Sequence, residues 1–523
     1  MKGRKIVSTL LALLLFASLP VSALAATWDI GNGDITVNAG SGGQTVTQGS
    51  QVDVPDDAPV ITGSSDEHSV TINAEKDQTA NVTLSGVNID VRDKGKAAVS
   101  TAGEGNVSIE LNGDNTLKSG KGHAGLEKKN GGKLTIADED KNGKLTAEGG
   151  KYGAGIGGGD QGAGSGITIT GGEIKATGGQ YGAGIGGGKG DGSDITISGG
   201  EVNATGGTSG AGIGGGYNGN GSDITITDGE VNATGGTSGA GIGGGEYGIG
   251  KDIIITGGEV NATGGRFSAG IGGGSRGTGS DITISGGEVN ASGGVNGAGI
   301  GGGLRSKGKD ITVSGDAQLK VQGGVGDYFD GPGAGIGDGG SRPKGSTGGS
   351  PIPGAEVGPD TSGLTTNGSI EYYAPGADME KDKPTSTTTG KPTEPGKPTE
   401  PTEPTEPGKP TEPIEPAVPE QPEAERGMDA PLYFITDRDG RAVRCRAERK
   451  GGVLTVTVDE DFAVLTSSLS GMTALRAQGI EKIIFVTNGA KTAVKLSTII
   501  SKLTANGVFR LTHDGKAVTF TLG

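Results

Sequence analysis

The chain has 523 residues, of which 112 are glycine and one is cysteine, and its net charge is −16. A single cysteine excludes an intramolecular disulfide, and an acidic exterior disfavours nucleic acid as a partner. Residues 1–26 combine a basic start, an apolar run and small residues near their end. This order is typical of a secretory signal peptide, so we expect a secreted protein that is extracellular or associated with the cell wall. No other segment is apolar enough and long enough to span a membrane.

A tandem repeat dominates the middle of the chain. The phrase Ala-Gly-Ile-Gly-Gly-Gly occurs six times at intervals of 28 or 29 residues, and a variant with one aspartate follows from Ala334. The six copies begin at Ala154, Ala183, Ala211, Ala240, Ala269 and Ala298. A fixed period of this size indicates a solenoid in which each repeat forms one coil.

Alternation between apolar and polar residues predicts three short strands in each coil. In one repeat, Ile195 and Ile197 would point inward from the first strand, and Val202 and Ala204 from the second. The third strand is centred on Ile213 and is almost entirely glycine. Glycine pairs between the strands allow the chain to turn corners. The fold class predicted is therefore an all-β parallel β-helix with about 29 residues per coil.

Changes in composition divide the chain into further segments. We expect an N-terminal cap with the first irregular strands at 27–80, the solenoid at 81–341 and a disordered linker rich in Gly, Pro, Thr and Glu at 342–427. Residues 428–523 alternate strand-like and helix-like stretches, with helices expected at 466–478 and 497–505, and are predicted to form a small α+β domain. Cys445 alternates with arginines and is predicted to be buried.

The C-terminal domain concentrates positive charge in one stretch. Six basic residues lie close together there, at Arg438, Arg441, Arg444, Arg446, Arg449 and Lys450. A solvated basic strand is the simplest interpretation, and contact with an anionic cell-wall polymer is the functional alternative.

Repetition argues against catalysis, because an active site is a single group of unlike side chains. The glycine phrase matches a dinucleotide-binding fingerprint only in form, since a further glycine run follows where a helix should begin. We therefore predict that the chain is not an enzyme. A polysaccharide lyase is the alternative, and its active site would have to use Asp90, Asp93, His123 and Glu127 in the irregular N-terminal coils.

Repetition does build rows of like residues that point outward. Two acidic rows start the first and second strands of successive coils, and their carboxylates would favour a calcium ion, although the fold requires no cofactor. The acidic rows are Asp194, Asp223, Asp252, Asp281 and Asp310, and Glu201, Glu230, Glu259 and Glu288. Solvated charge that protects strand edges from aggregation is the competing interpretation.

A third row consists of asparagines, and tyrosines lie beside the glycine runs. The asparagines are Asn203, Asn232, Asn261 and Asn290, and the tyrosines include Tyr181 and Tyr217. Regular polar rows on a rigid rod suit a polymer with a repeating unit, and aromatic rings offer platforms for sugars. These residues are therefore the predicted contacts to a polysaccharide. The tyrosines occupy two different offsets in the repeat, so covers for the loops are an equally simple interpretation.

The signal segment, the Ile-Thr-Ile-Ser-Gly-Gly-Glu-Val-Asn-Ala-Thr-Gly-Gly phrase and the Ala-Gly-Ile-Gly-Gly-Gly phrase together resemble secreted right-handed parallel β-helix proteins of Gram-positive anaerobes. That group includes carbohydrate-binding and adhesin-like surface proteins, and the resemblance covers roughly residues 80–341. It implies a host or cell-wall glycan as partner, with a calcium-assisted acidic polysaccharide as one possibility, but it assigns no individual binding residue. A purely structural stalk that presents the C-terminal domain is the remaining alternative.

Overall fold

The computed structural model describes residues 25–342 and 351–390, and, in a second unit, 434–436, 438, 445–458, 460–468, 472, 475–476, 480–500 and 508–522. The predicted signal peptide lies outside these residues except for its last two positions. The described residues form two compact units, one within residues 1–395 and the other within residues 396–523. Each unit is described by itself.

The first unit is a right-handed parallel β-helix, as its repeat predicts. One side, the Ile-Gly face, is a 13-stranded sheet in which most strands are only two residues long. Its strands are Ile35–Gly40, Gly43–Gln48, Gln51–Pro55, Val70–Ala74, Val99–Gly103, Leu126–Glu127, Ile156–Gly157, Ile185–Gly186, Ile213–Gly214, Ile242–Gly243, Ile271–Gly272, Ile300–Gly301 and Ile336–Gly337.

The other two sides form one continuous 19-stranded sheet, because a single strand bends across both sides in several coils. The Thr face contains Thr27–Asp29, Val60–Ser65, Thr79–Asp90, Asn106–Asn112, Leu134–Ala137, Gly164–Ile169, Gly192–Thr205, Gly221–Thr234, Gly250–Ile255, Gly279–Ile284 and Gly308–Val313. The Asn face contains the C-terminal halves of the longest of these strands together with Asp114–Lys118, Lys144–Glu148, Glu173–Thr177, Glu259–Thr263, Glu288–Ser292, Gln318–Gln322 and Ser369–Tyr373.

The strands of successive coils stack in register on each face of the solenoid. Ile195 pairs with Ile224, Val202 with Val231, and Ile213 with Ile242, so each apolar side chain lies on its own equivalent. Ile195, Ile197 and Val202 are completely buried, which confirms the predicted inward positions. Burying such a side chain contributes roughly 1.5–3 kcal/mol, and each coil adds the same set again.

Glycine is required where neighbouring coils approach most closely. A Cβ added to Gly236 would lie 1.6 Å from the backbone oxygen of Gly207 in the preceding coil, and one added to Gly207 would lie equally close to Gly179. At Gly214 the reason is conformational, because its φ of 129° is rarely adopted by residues with a side chain. The invariant glycines of the repeat therefore keep the coils in hydrogen-bonding contact.

Both ends of the stack are covered. At the start, the hairpins of Ile35–Gly40, Gly43–Gln48 and Gln51–Pro55 pair antiparallel, and a short 3-10 helix, Ile30–Asn32, precedes them. At the other end, Ser386–Thr389 pairs antiparallel with Ser369–Tyr373. Glu356 accepts hydrogen bonds from the backbone N–H groups of Gly335 and Ile336 at 2.7 and 3.1 Å, in place of a following coil.

The predicted linker begins too early. Residues 351–390 lie within the predicted range 342–427, yet Ser369–Tyr373 continues the Asn face by pairing with Gln318–Gln322. Ile370 is completely buried in the core of the solenoid. The Pro-Thr-Glu tract from residue 391 onward lies outside the described residues of this unit.

The second unit contains two four-stranded sheets around one apolar core. One consists of Phe434–Thr436, Phe462–Ser468, Val508–Asp514 and Ala517–Leu522, and the other of Arg446–Lys450, Val453–Thr457, Lys482–Val486 and Lys491–Lys495. A helix, Leu496–Ile500, contributes Leu496 and Ile499 to the core. The helix expected from residue 466 starts too early, because the strand Phe462–Ser468 occupies its first positions. Cys445 is exposed, so its predicted burial is wrong.

Candidate functional site

The asparagine row forms a ladder of side-chain amides. Asn232 donates to Asn203 at 3.1 Å, Asn261 to Asn232 at 3.0 Å, and Asn290 to Asn261 at 2.8 Å, in each case from Nδ2 to Oδ1. All four are half-buried. Coils in register bring identical side chains together, so these amides bind one another, and Asn203 and Asn232 also donate to Glu201 and Glu230 at 3.1 and 3.3 Å.

The glutamate row runs beside the asparagines and is exposed. Lys144 pairs with Glu173 at 2.6 Å at one end, and Lys320 with Glu288 at 3.5 Å at the other. A depression of about 480 Å³ lies at the neighbouring glycine corner and is lined by Lys144, Glu173, Glu201 and Asp228, among others. The surface of this side of the rod is therefore mainly acidic.

The aspartate row occupies a left-handed backbone position. Asp194 has a φ of 49°, and Asp223, Asp252, Asp281 and Asp310 have φ between 52° and 55°. Aspartate tolerates this conformation better than most residues, and Gly166 holds the equivalent place in the preceding coil with a φ of 67°. Lys251 pairs with Asp252 at 3.1 Å, and this hydrogen bond raises the pKa of Lys251.

Convergent carboxylates lie elsewhere. Among the described residues, the only group of three acidic ligand atoms within 4.8 Å of one another comes from Glu110, Asp138 and Asp140. Burial, followed by the neighbouring acidic groups, raises the pKa of Glu110, although a backbone hydrogen bond from Glu139 opposes this. Calcium binding by the two predicted acidic rows stays a prediction.

Aromatic residues follow one edge of the solenoid. All seven aromatic residues between positions 81 and 341 lie in the two turns that flank the Ile-Gly strands, although these turns hold a minority of the residues. They are Tyr152, Tyr181, Tyr217, Tyr247, Phe267, Tyr328 and Phe329. We call these turns, with their aromatic side chains, the aromatic edge.

Four tyrosines of this edge form a continuous row. Tyr152 stacks on Tyr181 with ring centroids 5.3 Å apart and planes inclined by 15°. Tyr181 meets Tyr217 edge to face at 5.5 Å, and Tyr217 meets Tyr247 at 6.3 Å. The backbone N–H of Tyr217 also donates to the carbonyl of Tyr181 at 2.8 Å. Tyrosines from two different offsets in the repeat therefore join into one surface, which sequence spacing did not reveal.

Lysine and arginine side chains lie close to the rings at both ends of the tyrosine row. Lys121, Lys151 and Lys189 place their ammonium groups 5.6, 5.3 and 5.5 Å from the centroid of Tyr152. At the other end of the row, the guanidinium of Arg276 lies 5.8 Å from the centroid of Tyr247. The two ends of the tyrosine row thus have basic side chains beside their rings.

The loop that carries Tyr328 and Phe329 extends the edge toward the C-terminal end of the solenoid. Tyr328 is 88% exposed and Phe329 is 56% exposed. Beneath them, Arg305 binds the buried Asp330 through two hydrogen bonds of 2.8 and 2.6 Å. The Asn296 amide donates to the carbonyl of Asp330 at 2.9 Å. Buried polar contacts therefore hold two aromatic side chains in solvent.

The residues suggested for a lyase are only partly brought together. His123 Nδ1 lies 2.9 Å from the Glu127 carboxylate, which also pairs with Lys129 at 2.8 Å. Glu127 is almost completely buried in a position that Gly157 holds in the next coil. Asp90 instead pairs with Arg92 at 2.7 Å, which lowers the pKa of that carboxyl group. Asp93 is exposed.

In the second unit, the basic stretch is described only in part. Arg446, Arg449 and Lys450 are exposed on one strand, whereas Arg441 and Arg444 lie outside the described residues. Arg438 pairs with Asp514, and its guanidinium lies 4.6 Å from the centroid of the Phe462 ring. Contact of this domain with an anionic polymer therefore stays a prediction.

Comparison with known proteins agrees with the repeats. The family model described as a beta helix repeat matches the segments 141–160, 167–189, 195–217, 224–246, 253–275 and 282–304. Neither the curated proteins nor the solved structures contain a significant match. Among the described residues, no helix combines the length and apolar character needed to cross a membrane. The matched segments all lie within the stacked coils, so the match agrees with the parallel β-helix fold of this part of the chain.

Proposed function

We propose that this chain is a secreted or wall-associated, non-enzymatic protein that binds polysaccharide along its aromatic edge, in the manner of a surface adhesin. The observation that carries the proposal is the continuous row from Tyr152 to Tyr247, in which successive ring centroids lie 5.3–6.3 Å apart. Tyrosine offers an apolar ring together with a polar hydroxyl, which suits the two kinds of surface that a sugar presents.

The positions of the side chains favour the tyrosines over the asparagines as the main contacts to sugar. The asparagines predicted as sugar contacts bind one another, whereas Tyr181 and Tyr217 lie at the centre of the row. A rod with one ring in each of several successive coils presents a series of aromatic contacts to a polymer with repeating units. Calcium would act on the acidic rows of the other two faces, so we treat it as an accessory to binding and not as a requirement.

The proposal is tested by affinity electrophoresis of the full chain in gels that contain neutral or anionic polysaccharides, each with calcium and with a chelator. The variant Tyr152→Ala/Tyr181→Ala/Tyr217→Ala removes the row, and Thr196→Ala/Thr225→Ala/Thr283→Ala is the matched control on the Thr face. We expect retardation of the parent chain and of the control, and free migration of the tyrosine variant. Equal retardation of all three proteins would refute binding by the edge.

An enzyme is the second candidate, and the His123–Glu127 pair is the observation that favours it. A histidine beside a buried carboxylate is suited to proton transfer. Lys129 occupies the same carboxylate oxygen, however, so Glu127 already has two cationic or potentially cationic partners. Incubation with pectin distinguishes the candidates, because a lyase would release unsaturated products that absorb in the ultraviolet, and the variant Glu127→Gln would abolish them.

A further inference from the structure

Three lysines surround the first ring of the tyrosine row. They come from different turns of the solenoid, yet the ammonium groups of Lys121, Lys151 and Lys189 all lie within 5.6 Å of the Tyr152 centroid. Lys151 is also 6.0 Å from the centroid of Tyr181. Stacking of the coils therefore concentrates three positive charges at one end of the aromatic edge.

These charges lack carboxylate partners within the part of the chain that the structure describes. Among the described residues, no carboxylate oxygen lies within 4.0 Å of any of the three ammonium groups. Some lysines of the other faces are paired, such as Lys144 with Glu173 and Lys309 with Asp310, whereas Lys175 on the Asn face has no ion pair in the described coils. What distinguishes Lys121, Lys151 and Lys189 is that three unpaired ammonium groups converge on one aromatic ring.

The ring itself does not balance this charge. An aromatic face attracts a cation through its quadrupole, but the attraction is much weaker than that of a full negative charge. Tyr181 stacks nearly parallel on Tyr152, so part of the ring is already covered. Three unpaired ammonium groups around one ring therefore favour an anionic group of a ligand at this place.

We propose that Lys121, Lys151 and Lys189 form a cradle for the carboxylate or sulfate group of an acidic glycan whose sugar rings lie along the tyrosine row. This inference rests on the proposed function and names the class of its ligand. The acidic rows repel such a polymer from the Thr and Asn faces. The cradle therefore both selects an anionic glycan and places it on the aromatic edge.

The test compares two variants of the full chain with the same change in net charge. Lys121→Gln/Lys151→Gln/Lys189→Gln removes the cradle, and Lys251→Gln/Lys309→Gln/Lys320→Gln removes three lysines from the acidic faces. Binding is measured by affinity electrophoresis on polygalacturonate, on its methyl-esterified neutral form and on dextran sulfate, at low and high salt. We expect the cradle variant to bind polygalacturonate or dextran sulfate about tenfold more weakly, the control to be unchanged, and added salt to weaken binding of the parent chain.

The outcomes separate this inference from the proposed function. Equal losses in both variants would show a general effect of charge and would overturn the cradle. If the parent chain binds the esterified and the acidic polymer equally well, the cradle is wrong while the proposed function stands. If it binds no polysaccharide at all, the proposed function fails and the cradle fails with it. A preference between polygalacturonate and dextran sulfate identifies which anion the cradle accepts.

Discussion

The side-chain amide of Asn261 donates to Oδ1 of Asn232 at 3.0 Å, and Asn232 donates in the same way to Asn203. Each central amide of the ladder thus acts once as donor and once as acceptor toward its neighbours. The row links successive coils through side chains as well as through the backbone. The ladder therefore contributes to the stability of the solenoid, and contact of these asparagines with a polysaccharide stays a prediction.

Replacing the central amide by a carboxylate breaks this chain of hydrogen bonds. In Asn232→Asp, the donor to Asn203 is lost and a negative charge is placed beside Glu230, whose carboxylate accepts a hydrogen bond from Asn232 at 3.3 Å. We expect a loss of roughly 1–3 kcal/mol in the free energy of unfolding, measured by guanidinium denaturation. The control is Asn218→Asp, at an exposed turn with a φ of 59° that aspartate tolerates. Similar losses in both variants would contradict the ladder's role.

The contact between Gly236 and Gly207 predicts strong intolerance to a methyl group. A Cβ at position 236 would lie 1.6 Å from a backbone oxygen, so the coils must separate to make room. We expect Gly236→Ala to lower the free energy of unfolding by roughly 3 kcal/mol, because backbone cannot move aside as a flexible side chain can. The exposed neighbour supplies the control: Thr237→Ala should change stability by less than about 0.5 kcal/mol. An unchanged denaturation midpoint for Gly236→Ala would show that the coils are packed less closely.

The pair formed by Arg305 and Asp330 predicts a change in protease sensitivity. Chymotrypsin cleaves after aromatic residues, and Tyr328 and Phe329 are exposed, yet the ion pair beneath them holds the loop in place. In Arg305→Gln the buried carboxylate of Asp330 loses its charged partner, which typically costs about 3–5 kcal/mol. We expect rapid cleavage at this loop, followed by gel electrophoresis and mass spectrometry of the fragments.

The matched control for that experiment is Arg276→Gln, which removes an arginine from the same edge. Its guanidinium contacts only the ring of Tyr247 among the interactions described for it. Resistance to cleavage should therefore be retained. Cleavage of the parent chain at the same rate as Arg305→Gln would show that the ion pair does not order the loop.

His513 predicts a pH dependence of the second unit. The imidazole is completely buried between the hydroxyl groups of Thr487 and Thr492, at 3.1 and 2.9 Å, and burial lowers its pKa below the ordinary value of 6.5. The unfolded chain therefore binds the proton more readily, so stability is fully present above pH 6.5 and is lost as the pH falls through 6.5 toward the folded pKa. We expect the melting temperature of this unit to fall over that range, and to fall less in His513→Gln. Parallel curves for the two proteins would exclude His513 as the cause.

The second unit shows where the sequence pattern predicts secondary structure correctly and where it does not. An Asp-Gly pair is typical of a hairpin, and Gly515, which follows Asp514, forms with Lys516 the two-residue turn between the antiparallel strands Val508–Asp514 and Ala517–Leu522. The stretch from residue 466 has helical periodicity, but its first residues pair with the strand Val508–Asp514. Pairing with a distant strand outweighed local preference there, because long-range hydrogen bonds and burial dominate over intrinsic propensity.

For the solenoid, residue order alone was enough to derive the period, the three strands and the inward positions. Ile195 and Val202 are buried as expected because alternation along a strand decides inside from outside without reference to any other coil. The glycine corners follow from the same local rule. Identical repeats also place like residues in rows, so the acidic and asparagine rows were foreseeable.

Only the tertiary structure shows which side chains of the turns and rows contact one another. Tyr181 and Tyr217 occupy different offsets and are 36 positions apart, yet the turn before one Ile-Gly strand adjoins the turn after the next, and their rings meet at 5.5 Å. Because the coils stack, the asparagine side chains also form hydrogen bonds with one another, and Lys121, Lys151 and Lys189 all lie close to the Tyr152 ring. A strand pattern encodes only two faces, whereas contacts at a corner depend on how each turn bends against the coils above and below it.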